Sequence, residues 1–182
     1  IWMIGLPLET NTNKDKRISL SASSFLEFIH GLKTGRPPEI DLHLEKQVHG
    51  FVRKLICKGF INSAHDLGDG GLLVAIAECC ISSEYGANII LPPSKARLDR
   101  LMFAEGGARV LVSCSNDQAV ELKKYYKNFS LSESNVFSIS HLGNVNNQKK
   151  LSVYQSNHSI IDVSIYDLKK AYKNAIYKKI NK

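Results

Sequence analysis

The sequence predicts an α/β to α+β fold in which a mixed β-sheet is covered by helices. Segments typical of strands and helices alternate along most of the chain, and strand-like segments then cluster before a last helix. The composition, with 43% hydrophobic and 23% charged residues, is that of an ordinary globular protein. Since domains usually run to roughly 100–200 residues, residues 1–182 are predicted to form a single domain.

The chain opens with a predicted strand and two helices. "IWMIGLPL" is typical of a buried strand that ends at Pro7. In "SASSFLEFIHGL", Ser23 or Ser24 is a candidate N-cap, and "GRPP" ends the helix. The apolar side chains that helical spacing places on one face of this helix are Phe25, Phe28, Ile29 and Leu32.

The next helix is the clearest in the sequence. Asp41 is predicted to be its N-cap, and Gly59 is placed to be the C′ residue after its end. Its apolar stripe consists of Leu44, Val48, Phe51, Val52, Leu55 and Ile56.

Strands and helices alternate through the middle of the chain. "FINSAH" is predicted as a short strand, and the helix that follows, Gly70 to Ile81, is apolar nearly all round and hence expected to be buried. "ANIILPP" and "ARVLVSC" are strand candidates, with a helix or a loop with a helical turn in "SKARLDRLMFAEGG". Asn116 is a candidate cap for a helix through Tyr126.

The last part of the chain is predicted as three strands and a helix. "FSISHLGNV" and "KLSVYQ" are expected to form a β-hairpin around Asn146 and Asn147, with "SIIDVS" as a third strand. Ser164 and Asp167 form a capping box for the final helix. That helix carries apolar residues at helical spacing: Ile165, Leu168, Tyr172, Ala175 and Ile176.

Charge, hydropathy and cysteine content exclude several classes of function. The net charge is +7, but most of the excess lies from Lys149 onward, where eight lysines and two aspartates occur and the lysines are predicted to lie largely on the polar side of the last helix. A solvated helix face explains this better than nucleic-acid binding. No apolar run is long enough to span a bilayer. Four cysteines without CxxC spacing favour a reduced, cytoplasmic setting.

"SAHDLGDGG", residues 63–71, is the first candidate site. A strand followed by a polar loop and a glycine-led helix is a common anion site, because N–H groups at a helix N-terminus are unpaired. Asp66 and Asp69 supply oxygens of the kind that hold Mg²⁺, and His65 can exchange a proton near neutral pH. Structural explanations are equally available: Asp69 as a helix cap, Gly70 and Gly71 as turn residues, and His65 as a satisfied core residue.

"FAEGGARVLVS", residues 103–113, is a second polar and glycine-containing segment. Glu105, Gly106 and Gly107 precede Arg109, which enters a predicted strand. The guanidinium of Arg109 is suited to a bidentate phosphate contact, or to a structural pair with Glu105 or Asp66.

Together these segments resemble a known family. "SAHDLGDGGLLVAIAE", "SASSFLEFIHG", "GRPPEIDLHLE", "FAEGGARVLVS" and "SHLGNV" are similar, in the same order and spacing, to the C-terminal part of the synthetase subunit of the phosphoribosylformylglycinamidine synthase family. The resemblance covers nearly the whole chain. It implies the C-terminal domain fold of the aminoimidazole ribonucleotide synthetase superfamily.

The resemblance also implies a reaction in purine biosynthesis. ATP, with Mg²⁺, would activate the formamide oxygen of formylglycinamide ribonucleotide as a phosphoryl ester, which ammonia displaces to give the amidine. Ammonia would come from a separate glutaminase subunit, with a small third subunit as a further partner. The absence of an initiating Met fits a domain preceded by nucleotide-binding domains of the same subunit.

For the site residues, the resemblance implies a non-catalytic copy. The catalytic histidine and most ATP contacts of the family would lie on upstream domains, so no catalytic residue is expected in this chain, and no ATP or Mg²⁺ is expected to bind tightly to it alone. Asp66 matches a metal ligand of the first-half sister domain, and residues 105–107 match an E-S-Q segment that touches substrate. Here that segment is Glu-Gly-Gly, and Gly68 replaces a usual Ser.

The remaining candidates, His65, Asp69, Gly70, Gly71 and Arg109, would then line a pseudo-symmetric site. The alternative to this interpretation is a stand-alone module that binds a phosphorylated metabolite or a Mg²⁺–nucleotide.

Overall fold

The computed structural model describes residues 1–8, 15–132 and 137–180, with the side chains of the last helix described up to Asn174. The chain divides into two compact units, and helix α3, Gly71–Ser83, begins in the first unit and ends in the second. Among the described residues, no helix combines the length and apolarity that crossing a bilayer requires.

The first unit comprises Ile1–Ala75 and Ser94–His141. Its sheet has the strand order β2-β4-β1-β5, and every neighbouring pair is antiparallel. Its elements, besides the start of α3, are β1 (Trp2–Gly5), α1 (Ser24–His30), α2 (Leu42–Cys57), β2 (Ser63–Asp66), α4 (Leu98–Phe103), β4 (Arg109–Ser113), α5 (Asn116–Ser132) and β5 (Ser138–His141).

The apolar stripe of α2 forms the centre of the core in the first unit. Phe51 is fully buried, and its ring centroid lies 5.1 Å from that of Phe129 and 5.3 Å from that of Phe137. Asp41 caps the helix by accepting a hydrogen bond from the N–H of Leu44, as predicted. The predicted stripe is right except at its end, because Ile56 is exposed.

Helix α1 differs from α2 in that none of its residues is buried. The hydroxyl of Ser23 accepts a hydrogen bond from the N–H of Leu26, which identifies Ser23 rather than Ser24 as the N-cap. Phe25 stacks on Phe103 with ring centroids 4.8 Å apart. The rest of the predicted apolar face, Phe28, Ile29 and Leu32, is exposed.

The second unit comprises Ile76–Pro93 and Leu142–Lys182. Its mixed sheet has the order β6-β3-β7-β8, in which only β3 and β7 are parallel. Besides the rest of α3, its elements are β3 (Gly86–Leu91), β6 (Gly143–Asn146), β7 (Lys150–Gln155), β8 (His158–Ser164) and α6 (Ile165–Ile180).

The predicted hairpin around Asn146 and Asn147 is wrong. Strand β3 lies between β6 and β7 and pairs with both. The hairpin joins β7 to β8 instead, and its two turn residues, Ser156 and Asn157, have φ values of 48° and 66°. Two successive residues with positive φ are typical of the type I′ turn that suits tight hairpins.

At the N-termini of α5 and α6, a pair of polar residues close in sequence caps the helix. For α5 the cap is Ser115, not Asn116: the Ser115 hydroxyl accepts from the Gln118 N–H, and the Gln118 side chain accepts from the Ser115 N–H. For α6 the predicted capping box between Ser164 and Asp167 is present. Of the apolar residues predicted on α6, Ile165 is buried and Tyr172 is exposed, and the side chains of residues 175 and 176 lie outside the described part.

Candidate functional site

The two candidate segments lie side by side in the first unit. Strand β2 pairs with β4, so that His65 is opposite Leu111 and Asp66 is opposite Val110. The backbone N–H of Leu67 continues this contact by donating to the carbonyl of Arg109 at 3.1 Å. The sheet therefore brings the polar loop before α3 next to the segment that precedes β4.

Both glycines at the start of α3 are required by the backbone. Gly70 and Gly71 have φ values of 77° and 67°, which L side chains rarely adopt. A Cβ on Gly70 would lie 2.5 Å from a methyl carbon of Val74, and one on Gly71 would lie 2.6 Å from the carbonyl oxygen of Ala104. This tight turn explains the glycines in structural terms.

Glu105 connects two helix starts through one carboxylate oxygen. Its Oε1 accepts a hydrogen bond from the backbone N–H of Gly70 and another from that of Ser24, both at 2.8 Å. Its backbone also exchanges two hydrogen bonds with Ser19. A carboxylate at helix N-terminal N–H groups is favourable, because those groups carry partial positive charge. Glu105 thus occupies the position in which an anion would meet these N–H groups.

The two glycines after Glu105 differ in what a side chain would meet. Gly106 has a φ of 154°, and a Cβ there would lie 2.1 Å from the carbonyl oxygen of Arg17. A Cβ on Gly107 would lie 2.0 Å from Oε1 of Glu45, the movable end of a flexible side chain. The backbone at Gly106 therefore excludes a serine unless the chain shifts, whereas Gly107 is less restricted.

Arg109 is buried and bonded to the protein itself. Its Nη2 donates to the carbonyl oxygen of Ala104 at 2.7 Å, and its Nε has no hydrogen-bond partner among the described residues. Burial lowers the pKa of Arg109 to about 10, and the negative charge of Glu105 opposes this shift. The guanidinium remains charged at neutral pH, but it bonds a backbone carbonyl rather than reaching outwards.

The acidic side chains of the loop face solvent. Asp66 and Asp69 are exposed, and neither carboxylate makes a hydrogen bond within the described residues. Asp69 therefore does not cap α3, since a cap would have to accept a hydrogen bond from an N–H of the first helical turn. A Cβ on Gly68 would lie 3.6 Å from Oδ2 of Asp66, so a serine there would fit beside that carboxylate.

His65 is half-buried and interacts with its own loop. Its Nδ1 lies 2.6 Å from the backbone carbonyl oxygen of Asp66. The contact satisfies one ring nitrogen, but His65 is half-buried rather than the core residue of the structural explanation.

Two observations bear on the predicted phosphate and Mg²⁺ contacts of this turn. The Gly70 N–H that would meet a phosphate is already bonded to the carboxylate of Glu105. Among the described residues, no group of three or more His, Cys, Asp or Glu side chains could hold a metal ion. Mg²⁺ usually binds one or two carboxylates together with substrate phosphates, so Asp66 alone is an incomplete site.

The sequence identified most of this site but missed the residues that complete it. Ser24 donates to Glu105 from 81 positions away, and the carbonyl of Arg17 limits Gly106. The capping serines before α1 were visible as a helix start. No sequence spacing connects them with Glu105.

The fold and the glycine-led turn define the class of protein, and comparison with known families agrees. The chain belongs to the family described as "AIR synthase related protein, C-terminal domain", which matches residues 10–155. Over all 182 residues it is 80% identical to phosphoribosylformylglycinamidine synthase subunit PurL of Prochlorococcus marinus strain NATL1A. The chain spans 23% of the length of that relative.

Solved structures of one more distant protein share the fold. "T. maritima PurL complexed with FGAR" matches with a TM-score of 0.71 and 19% identity, over 92% of this chain and 27% of that one. "T. maritima PurL complexed with ATP" has a TM-score of 0.63 and 17% identity, over 92% and 25%. "Structure of PurLQS from Thermotoga maritima" has a TM-score of 0.64 and 16% identity, over 92% and 25%.

Proposed function

We propose that this chain is the C-terminal domain of the synthetase subunit of phosphoribosylformylglycinamidine synthase, and that the site between β2 and β4 is its non-catalytic, pseudo-symmetric copy. The whole enzyme would be an ATP-dependent carbon–nitrogen ligase that converts formylglycinamide ribonucleotide and glutamine-derived ammonia to the amidine. The observation that carries the proposal is the 80% identity to a PurL subunit over the entire chain.

The internal bonding of the site supports the second half of the proposal. Glu105 satisfies the N–H groups of Ser24 and Gly70, and Arg109 bonds the Ala104 carbonyl. Gly106 is held in a conformation that excludes the serine of the family's E-S-Q segment. Glu105 and Arg109, which could contact a substrate in a reactive copy, are here bonded to the protein.

The cofactors and partners follow from the proposed enzyme. ATP and Mg²⁺ would act on the upstream domains of the subunit, and PurL of T. maritima has been solved in complex with ATP. The glutaminase and the small third subunit would be the protein partners, and the solved T. maritima assembly named PurLQS supports a multi-subunit enzyme. We place the enzyme in the cytoplasm, without nucleic-acid or membrane partners.

An activity assay of the full-length subunit tests both halves of the proposal. With formylglycinamide ribonucleotide, ATP, Mg²⁺ and an ammonium salt, the wild-type subunit should form the amidine and release ADP in equal amounts. Asp66→Asn and Asp69→Asn should retain wild-type kcat/KM, because these exposed carboxylates would not take part in the reaction. Asp117→Asn is a matched control, since Asp117 is an exposed carboxylate of α5.

The outcomes are distinct. Failure of the wild-type subunit to form the amidine would refute the proposed enzyme. Loss of activity in Asp66→Asn alone, with the melting temperature unchanged and Asp117→Asn active, would refute the non-catalytic role of the site. Turnover by the 182-residue chain without upstream sequence would refute it as well.

A further inference from the structure

Large apolar side chains at the surface are concentrated in one short stretch of the first unit. Within the described part of the chain, thirteen large hydrophobic residues are exposed, and five of them fall between residues 28 and 42. We call this stretch the 28–42 segment. Its exposed apolar side chains, with their exposed fractions, are Phe28 (70%), Ile29 (65%), Leu32 (51%), Ile40 (74%) and Leu42 (78%).

The backbone of the 28–42 segment is fixed by specific hydrogen bonds. The N–H of Leu32 donates to the carbonyl of Leu26, and that of Ala22 donates to the carbonyl of Thr34. At the other end, the N–H of Glu39 donates to the carbonyl of Lys16. Several large exposed apolar side chains along one short, hydrogen-bonded stretch favour an interface, because large exposed apolar patches are uncommon on isolated proteins.

Three of the four Lys, Arg, Asp and Glu side chains of this segment form ion pairs within the described residues. Lys33 pairs with Glu27 at 2.8 Å, and Glu39 pairs with Lys16 at 3.4 Å. Asp41 pairs with Arg17 at 3.3 Å. Besides Arg36, the features of this segment that remain for recognition are therefore its five exposed apolar side chains.

The length of the relatives indicates what covers this surface. The chain spans 23% of the P. marinus PurL subunit and 27% of the T. maritima chain, so most of each polypeptide lies outside the matched part. We propose that the 28–42 segment is the docking surface for the part of the same polypeptide that precedes Ile1. This inference rests on the proposed function, in which the chain is the last domain of a longer subunit.

Site-specific photocrosslinking in the full-length subunit tests the inference. A benzophenone amino acid replaces Ile29 in one variant and Leu32 in a second. The second variant keeps the test valid if the first fails to fold. Val120 on α5, which is 60% exposed, is the matched control position. Each variant is prepared in an unlabelled and a ¹⁵N-labelled form, and the two forms are mixed in equal amounts before irradiation. Mass spectrometry of the digest then identifies the crosslinked peptides.

We expect crosslinks from positions 29 and 32 to peptides upstream of Ile1 within one isotopic copy, in severalfold higher yield than from position 120. Crosslinks that join differently labelled copies would identify a second subunit as the occupant and overturn the inference. Yields no higher than at position 120, or crosslinks confined to this chain's own residues, would also overturn it. Because ligase activity of the unmodified subunit is measured separately, failure of the docking surface and failure of the proposed function can be told apart.

Discussion

Helices α1 and α2 follow one another in the chain, and both carry an apolar stripe, yet only that of α2 is buried. The stripe of α2 supplies Phe51 and its neighbours to the core, whereas α1 has no buried residue. Short helices gain most of their stability from packing, so α1 depends on other contacts: the Ser23 cap, the bond from Ser24 to Glu105, and the stacking of Phe25. An apolar stripe indicates that one face of a helix is to be buried, but it does not say whether the chain's own core or another polypeptide segment buries it.

The largest expected effect is at the centre of the α2 stripe. Phe51→Ala should lower the free energy of unfolding by about 3–5 kcal/mol, because it removes a fully buried ring and leaves a cavity among aromatic side chains. Urea unfolding followed by circular dichroism measures this loss. Ile56→Ala, at the exposed end of the same stripe, is the control and should have little effect. Equal losses in the two variants would contradict the assignment of the core.

A smaller effect is expected at the carboxylate that holds the start of α1. Glu105→Ala should lower the free energy of unfolding by about 1–3 kcal/mol, because the N–H groups of Gly70 and Ser24 would lose their acceptor. Glu105→Gln keeps an oxygen in place and should lose less. Hydrogen exchange should show faster exchange at both N–H groups in the alanine variant. Unchanged exchange there would show that Glu105 does not support α1.

The fold was predictable where the determining contacts are local. The cap at Asp41, the C′ glycine at Gly59 and the capping box at Ser164 all act over a few residues, and the structure has each of them. Strand pairing was predicted less well. The strand inserted between β6 and β7 comes from residues 86–91, and alternation of apolar residues identifies a strand without identifying its neighbour.

The site was predictable in its residue types but not in its bonding. Gly70 and Glu105 were recognised as candidates, yet their hydrogen bond joins segments 35 positions apart. The sequence permits Arg109 either a phosphate contact or a pair with a carboxylate, whereas its hydrogen bond in the structure goes to a backbone carbonyl. Such partners depend on how the chain folds back on itself, which a single sequence does not contain.

The N-terminal caps of α1 and α2 should differ in how their contribution to stability depends on pH. The N–H of Leu44, and to a lesser degree Arg17, lower the pKa of Asp41 below its ordinary value, whereas the cap of α1 is the neutral Ser23. A carboxyl whose pKa is lowered by folding stabilises the protein above its unfolded pKa, and this contribution is lost as the pH falls through the folded pKa. The stabilising contribution of Asp41 should therefore be lost as the pH falls below about 4.

Asp41→Asn should make the loss of stability on acidification less steep, and Ser23→Ala should lower stability by the same amount at every pH. Urea midpoints measured between pH 3 and pH 7, about the range in which carboxyl groups titrate, provide the comparison. The pKa of Asp15 is also lowered, chiefly by its hydrogen bond from Arg17, so part of the acid sensitivity should persist in Asp41→Asn. Identical pH profiles for wild type and Asp41→Asn would contradict the assignment.

The smallest expected effect is on the exposed stripe of α1, and it depends on how much of the polypeptide is present. In the 182-residue chain, Ile29→Ser should change the free energy of unfolding by no more than about 0.5 kcal/mol, as for ordinary surface substitutions, since this side chain is 65% exposed. In the full-length subunit the same substitution should lower the melting temperature, because the side chain would be buried against upstream sequence. Val120→Ser, at a similarly exposed position on α5, should have little effect in either protein. If Ile29→Ser is equally harmless in both proteins, the stripe of α1 is exposed to solvent in the full-length subunit. The difference between α1 and α2 would then not be explained by burial of α1 against upstream sequence.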